Sequence, residues 1–273
     1  MLKTRVITAV VLLAVLLPVT LFAPVAAFGA LIAVALVLGA WEWARLLKLP
    51  GLAPVGYAVL AALALAASTR LGIGVRAARP LFEAAGVFWI LAGPFVLIRK
   101  PTLAHGAWRL FLILAGLVVL VACWHALVAA RALGVAFVLS VLVVVWLADI
   151  GAYFAGKAFG KHKLAPAISP GKTWEGALGG WLAVMIVAVA VMASHAFAPT
   201  LVSQLALRVG AARTLLALTV LVAFSIVGDL FESMLKRQAG VKDSSALLPG
   251  HGGVLDRIDA LLPVLPLAML LIG

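Results

Sequence analysis

The carboxylates of this chain are few and unevenly placed. Only nine Asp and Glu residues occur among 273, and seven of them fall between residues 149 and 259. Asp256 and Asp259 are three residues apart, so they share one face of any helix that contains them. Two close carboxylates repel each other in a low-dielectric site unless one is protonated or a cation lies between them. With Asp229, they predict a divalent site with oxygen ligands, which favours Mg²⁺ over Zn²⁺.

A second polar group begins at Asp229 and continues along the same predicted helix. Glu232, Ser233 and Lys236 follow at offsets of 3, 4 and 7 residues, so they project from the face that carries Asp229. Glu232 and Lys236 are also compatible with an ordinary i,i+4 pair on a surface helix. Asp229, however, directly follows fourteen mostly apolar residues, 215–228, which puts it near a membrane boundary. Ionisable groups at membrane depth are costly and therefore indicate function.

Basic residues and glycines supply groups that suit phosphates. Lys172 precedes a predicted helix start, where free backbone N–H groups help to hold an anion and Thr173 or Ser169 can cap the helix. The Gly-Lys-Thr sequence is not a P-loop, because neither Pro166 nor Ala167 is the upstream glycine that this motif requires. A basic loop that only sets topology is the alternative.

Residues 249–253 place glycines on both sides of His251, and glycine allows the positive φ and close backbone approach that a phosphate-binding loop needs. Carboxylates that gather a metal and cations that gather phosphates occur here at a membrane face. Together they predict phosphoryl or nucleotidyl transfer between a lipid and a soluble substrate.

The composition indicates the class of fold that holds these polar residues. Hydrophobic residues make up 66% of the chain, charged residues 11%, and the mean hydropathy is +1.25, which excludes the soluble classes. Long apolar runs exclude a β-barrel, and a single cysteine excludes a disulfide scaffold. The net charge of +12 is explained by topology and anionic lipid rather than by nucleic acid.

The fold class that follows is an all-α, polytopic integral membrane protein with about nine transmembrane helices and a cytosolic N-terminus. We expect one domain, 1–273, with N-terminal scaffold helices in 1–132 and a catalytic half in 133–273. The predicted spans are 6–22, 25–47, 52–67, 82–98, 110–130, 133–150, 177–197, 215–230 and 254–272.

Orientation follows from the basic residues in the loops. Nine spans put fifteen Lys and Arg residues on the cytosolic side and six on the other. If the third, alanine-rich segment does not cross, the counts become ten and eleven, so nine spans are favoured. The first run is long for a signal peptide, and another apolar run follows it almost at once, so we expect it to be a span.

The polar segments resemble the motifs of the phosphatidate cytidylyltransferase (CDP-diacylglycerol synthase) family. Residues 233–259 match the signature of that family along its 27 residues, SMLKRQAGVKDSSALLPGHGGVLDRID. Residues 149–153 and 169–176 are similar to two upstream motifs, and the Trp-Glu-Trp sequence at 41–43 also fits. Gly171 departs from the pattern, since members often carry a second lysine there.

The resemblance implies an enzyme that converts CTP and phosphatidate to CDP-diacylglycerol and pyrophosphate with Mg²⁺, and it leaves a second cation open. The metal ligands that it implies are Asp229, Asp256 and Asp259. Catalytic roles extend beyond these ligands to Lys236, Lys242 and His251. Phosphate binding and positioning are implied for Ser169, Lys172, Thr173, Ser233, Arg237, Asp243 and Arg257. Supporting positions behind the site are implied for Asp149 and Glu175.

The expected partners are CTP, phosphatidate and membrane lipids, with a homodimer as an option and no nucleic acid. The expected place is the inner (plasma) membrane, with the active site facing the cytosol. One rival is a related membrane transferase acting on a different lipid phosphate, such as an archaeal ether lipid. A secondary transporter is the other rival, which is disfavoured because the acids crowd one face and the two halves differ in charge.

Overall fold

A computed structural model describes residues 2–70, 77–101, 106–194 and 199–273 of the chain. Helices make up nearly all of it, and a short π-helical segment, Phe88–Ala92, joins the fourth helix to the fifth. The helices are α1 Leu2–Phe22, α2 Val25–Leu46, α3 Ala53–Arg70, α4 Arg79–Val87, α5 Gly93–Arg99, α6 Gly106–Leu133, α7 Val135–Phe159, α8 Trp174–Ser194, α9 Leu201–Val209, α10 Ala211–Ala239, α11 Leu255–Ile258 and α12 Leu261–Ile272. The strands are β1 Lys163–Ala165 and β2 Ser169–Thr173.

In the part of the chain that the structure describes, eight helical segments are long and apolar enough to cross a membrane. They correspond to the first eight predicted spans and confirm the all-α, polytopic membrane class. The predicted end of the seventh span, at residue 197, lies outside the described residues. The third segment does form a helix of membrane-spanning length, with the lowest hydropathy of the eight.

The ninth predicted span is interrupted. A turn at residues 259–260 separates α11 from α12, and the 12 residues of α12 extend only about 18 Å. Pro263 explains why the helical hydrogen bonds lapse here, because a proline ring clashes with the carbonyl four residues earlier, which belongs to Asp259; the backbone of Asp259 and Ala260 nevertheless stays in the right-handed helical region. The total of nine spans and the cytosolic N-terminus therefore stay predictions, as does the division of the domain near residue 132.

Small residues bring α7 and α8 into close contact. The Cα atoms of Gly156 and Gly176 lie so near each other that a Cβ built on Gly176 would be 3.4 Å from the Gly156 Cα. One turn further along α8, a Cβ on Gly180 would overlap the backbone of Ala148. Glycines at these positions therefore allow the two helices to pack closely.

Trp43 joins α2 to two other helices. Its indole nitrogen donates a hydrogen bond to the Leu112 carbonyl of α6 at 3.0 Å, and its ring stacks on Phe231 of α10 at 5.9 Å. A side chain on Gly116 would collide with the indole, so glycine is required there for α6 to pack against it. The end of α2 is thus held rigidly against α6 and α10.

Strands β1 and β2 form a small antiparallel hairpin between α7 and α8, with Lys163 opposite Thr173. The turn of the hairpin lies at residues 166–168. Thr173 ends the hairpin and accepts a hydrogen bond from the Gly176 N–H at 3.1 Å, which confirms that it caps α8. The hairpin positions Lys172 beside α10.

Candidate active site

A cavity of about 510 Å³ lies between α7, α8, α10 and the β hairpin. Its polar lining includes Asp149 of α7, Asp229 of α10, and the hairpin residues Ser169, Lys172 and Thr173. Four of these five were predicted to bind phosphates or metal, and Asp149 was expected to support them. The structure brings them together from segments that are up to 80 residues apart in sequence.

The first polar cluster surrounds the Lys172 ammonium. Lys172 Nζ lies 2.7 Å from the Asp229 carboxylate, which also accepts a hydrogen bond from Ser233 Oγ at 3.3 Å. Asp149 and Asp259 interact electrostatically with both Lys172 and Asp229. Asp229 thus contacts the Lys172 ammonium directly, whereas Asp149 and Asp259 interact with that charge only at longer range.

The second cluster is centred on Lys236. Its ammonium lies 2.5 Å from Glu232 and 2.6 Å from Asp256, and the three side chains are only 13%, 3% and 5% exposed. The alternative of a simple surface pair between Glu232 and Lys236 is therefore wrong. Glu232, which the sequence analysis did not include among the site residues, also interacts electrostatically with Asp259 and connects this cluster to the first.

Asp256 is held on both of its oxygens. Oδ1 accepts from Lys236, and Oδ2 accepts from the Gly253 N–H at 2.7 Å and from the backbone and hydroxyl of Ser244 at 2.9 and 2.8 Å. Asp259 accepts a hydrogen bond from the Ala260 N–H at 2.7 Å. As the chain folds here, Asp256 organises the surrounding loop, and its role as a metal ligand stays a prediction.

The glycine-rich loop at 248–253 adopts the backbone that its sequence predicts. Gly250 and Gly252 have φ values of 77° and 81°, and the Leu248 N–H donates to the Gly252 carbonyl at 2.8 Å. His251, between the two glycines, has a buried Nδ1 that finds no hydrogen-bond partner within the described residues. Thr8 of α1 donates to the Pro249 carbonyl at 2.8 Å, so the first helix also contacts this loop.

Glu42 is a site residue to which the sequence analysis gave no role. It lies on α2, is fully buried, and its carboxylate accepts hydrogen bonds from Ser245 Oγ at 2.5 Å and from the Val254 and Leu255 N–H groups at 2.9 and 2.6 Å. A lone acid in an otherwise apolar run was the available signal, because such a residue requires hydrogen-bond partners when buried.

Other predicted residues lie outside the two clusters. Arg237 Nε donates to the Ile168 carbonyl at 3.2 Å and so ties α10 to the hairpin turn, while Lys242, Asp243 and Arg257 are exposed. Glu175 accepts hydrogen bonds from the Lys161 and His162 N–H groups and lies 2.6 Å from the His162 ring, holding the entry to β1. Phosphate binding by the exposed residues stays a prediction.

A cation fits this donor set. No three Asp, Glu, His or Cys side chains in the described ranges stand close enough together to enclose a metal ion as they are placed. Two lysines nevertheless form salt bridges with three carboxylates, those of Asp229, Glu232 and Asp256, and among the described residues no lysine lies within salt-bridge distance of Asp149 or Asp259. Carboxylate oxygens are the ligands that Mg²⁺ prefers, so the chemistry of the donor set suits this ion, and the Lys172 ammonium now lies against one of these carboxylates, Asp229.

These features define a polytopic helical membrane protein with a partly buried acid–lysine site formed by α7, α10, the β hairpin and the segment around α11. The chain belongs to the cytidylyltransferase family, whose sequence profile matches residues 3–273. This confirms the family resemblance predicted from the motifs and argues against a transporter.

Three similar proteins are all phosphatidate cytidylyltransferases. A phosphatidate cytidylyltransferase of Pseudomonas aeruginosa is 44% identical over 271 residues, covering 97% of this chain and 95% of the relative. One of Haemophilus influenzae is 49% identical over 137 residues, covering 49% of this chain and 44% of the relative. One of Staphylococcus saprophyticus is 45% identical over 143 residues, covering 52% and 51%.

Proposed function

We propose that this chain is a phosphatidate cytidylyltransferase, which transfers the cytidylyl group of CTP to phosphatidate in phospholipid biosynthesis. The observation that carries the proposal is a group of three carboxylates salt-bridged to two lysines, with Asp149 and Asp259 interacting electrostatically with it, beside a cavity among apolar helices. Identity of 44% across nearly the whole length of the Pseudomonas aeruginosa enzyme supports the particular substrates.

The reaction needs positioning and charge neutralisation more than a strong base. A phosphate monoester has a second pKa of about 6, so phosphatidate is already largely ionised at neutral pH. One of its oxygens attacks the α-phosphorus of CTP; the new P–O bond forms, the bond to the β-phosphate oxygen breaks, and pyrophosphate leaves with that electron pair. Lys172, which lines the cavity and is 26% exposed, would hold phosphate oxygens there.

Lys236 has a different part in this proposal. Its ammonium is already engaged by Glu232 and Asp256, so it would hold these two carboxylates in place while the substrates bind. Arg237 would steady the hairpin through the Ile168 carbonyl. The exposed residues around the loop, Lys242, Asp243 and Arg257, would meet the triphosphate as it enters, together with the half-buried His251.

We further propose that Asp229, Asp256 and Asp259 hold Mg²⁺, with a second cation left open. A bound Mg²⁺ neutralises charge on the reacting phosphates. Asp256 would contribute by releasing one of its present hydrogen-bond donors, whereas Asp229 would exchange the Lys172 ammonium for the ion.

The site would face the cytosol of the cell that makes this protein, at its inner (plasma) membrane. The excess of fifteen basic residues over six on the predicted cytosolic side supports this orientation. It would give CTP access from the aqueous side and phosphatidate access from the bilayer. A homodimer stays a prediction.

The decisive experiment is a cytidylyl-transfer assay with purified protein in mixed micelles. Labelled CTP and phosphatidate should give labelled CDP-diacylglycerol with Mg²⁺ and none after chelation, and an ether-linked lipid phosphate added in competition identifies the preferred acceptor. Asp256→Asn should abolish product while Glu83→Gln, on an exposed ion pair, should not. Unchanged product formation after chelation, or full activity of Asp256→Asn, would exclude the proposed metal site.

A further inference from the structure

The buried carboxylate of Glu42 reaches across more than 200 residues of sequence to the loop that carries the C-terminal acids. Its three hydrogen-bond donors, Ser245 Oγ and the N–H groups of Val254 and Leu255, all belong to the segment that ends at Asp256. One donor lies at the start of this segment and two at its end. A single carboxylate therefore closes the loop between them.

The loop is built to admit this side chain. A Cβ on Gly253 would overlap both the Glu42 carboxylate and Ser244 Oγ, so glycine alone leaves room for them. The same Gly253 N–H donates to Asp256 at 2.7 Å, and Ser244 donates to it twice. Glu42 and Asp256 thus both accept hydrogen bonds from backbone N–H groups of this loop.

The carboxylate is also held from behind. Trp43, the next residue, is anchored to α6 through the Leu112 carbonyl and stacked on Phe231 of α10. Since α2 cannot shift without disturbing these contacts, Glu42 presents its oxygens to the loop from a fixed point. The loop is mostly irregular backbone, so an external anchor decides its conformation.

We propose that Glu42 is a positioning residue for the reaction: it orients the 244–256 loop so that Asp256, and Lys236 bound to it, stand correctly in the site. It touches neither substrate nor the reacting atoms. The inference rests on the proposed function for its kinetic readout only, because the order of the loop can be measured without activity.

The test uses Glu42→Gln, which keeps the shape of the side chain but removes its charge. Loss of a group that orients ligand-bearing side chains typically lowers activity by about 10- to 100-fold. We expect kcat to fall in that range with an unchanged KM for phosphatidate. We also expect faster hydrogen exchange of the Val254 and Leu255 amides, with no change at α6. Glu83→Gln is the matched control, since it neutralises an exposed acid elsewhere in the N-terminal half.

Two results would overturn the inference: wild-type kcat in Glu42→Gln, or a loss of kcat with unchanged exchange at Val254 and Leu255. If Glu42→Gln does not fold, Ser245→Ala is the variant to use, because it removes one of the three hydrogen-bond donors to Glu42 without changing a helix. A lower kcat and faster exchange there support the anchoring role, and wild-type values refute it. If the wild-type protein makes no CDP-lipid, the proposed function fails, while the exchange measurement still tests the anchor.

Discussion

Replacing Lys236 by methionine should destabilise the folded protein by about 3 to 5 kcal/mol, as is usual when one partner of a buried ion pair is removed. The ammonium lies 2.5 Å from Glu232 and 2.6 Å from Asp256, whose side chains are 3% and 5% exposed. Methionine fills the space of the lysine stem, so the loss comes from two buried carboxylates without their cation. Arg79→Met is the control: it breaks a pair with Glu83 that is more than half exposed, where about 1 kcal/mol is the upper expectation.

A second substitution tests whether the uncompensated carboxylates cause the loss of stability. Adding Glu232→Gln to Lys236→Met removes one of the two uncompensated charges. If the carboxylates share the penalty equally, about 1.5 to 2.5 kcal/mol should return. Activity should not return, because the lysine that holds Asp256 is still missing.

Unfolding by sodium dodecyl sulfate in mixed micelles, followed by tryptophan fluorescence, is a suitable assay. Trp43 and Trp89 both pack on Phe231, the residue beside Glu232, with ring centroids at 5.9 and 5.4 Å. If Lys236→Met lowers the free energy of unfolding no more than Arg79→Met does, the buried ion pairs are not stabilising. Further destabilisation of the Lys236→Met protein by Glu232→Gln would contradict the same explanation.

Two further substitutions test local packing. Gly253→Ala should lower CDP-lipid formation strongly and cost about 1 to 3 kcal/mol, because its methyl group would overlap Ser244 and Glu42; wild-type activity would contradict the close packing of the loop. Thr173→Ala should cost about 1 kcal/mol of thermal stability through loss of the α8 cap. Thr173→Ser should retain the cap, and equal stability of the two variants would argue against it.

Most of the membrane-spanning helices could be predicted from hydrophobic length, because each must satisfy its own backbone hydrogen bonds within the bilayer. The interruptions were harder to place. Pro263 breaks the last helix at Asp259, and Pro94 follows the π-helical segment, yet prolines in membrane helices are often accommodated without a break. Whether a proline bends or breaks the helix depends on neighbours such as Gly228, which packs against the Asp259 carbonyl.

Charged residues that stand close together in the fold could be named from the sequence, but their pairings could not. Asp229, Lys172 and Asp256 were identified because charged residues are rare in this chain and therefore conspicuous. That Lys172 pairs with Asp229, whereas Asp256 pairs with Lys236, could not be predicted, since hairpin and helix meet only in the folded molecule. Ser244 was overlooked for a related reason: a serine in a loop is ordinary until its surroundings show that it donates twice to one carboxylate.

That the chain is a helical membrane protein of the cytidylyltransferase family could be predicted from the sequence alone. These conclusions follow from composition and from local motifs, which need no knowledge of distant contacts. The hydrogen bonds of Glu42, in the N-terminal half, to the 244–256 loop became evident only in the folded molecule, as did the burial of Glu232 beside Lys236. Burial and hydrogen bonding between distant segments arise from packing, and a one-dimensional pattern does not record which helix faces which.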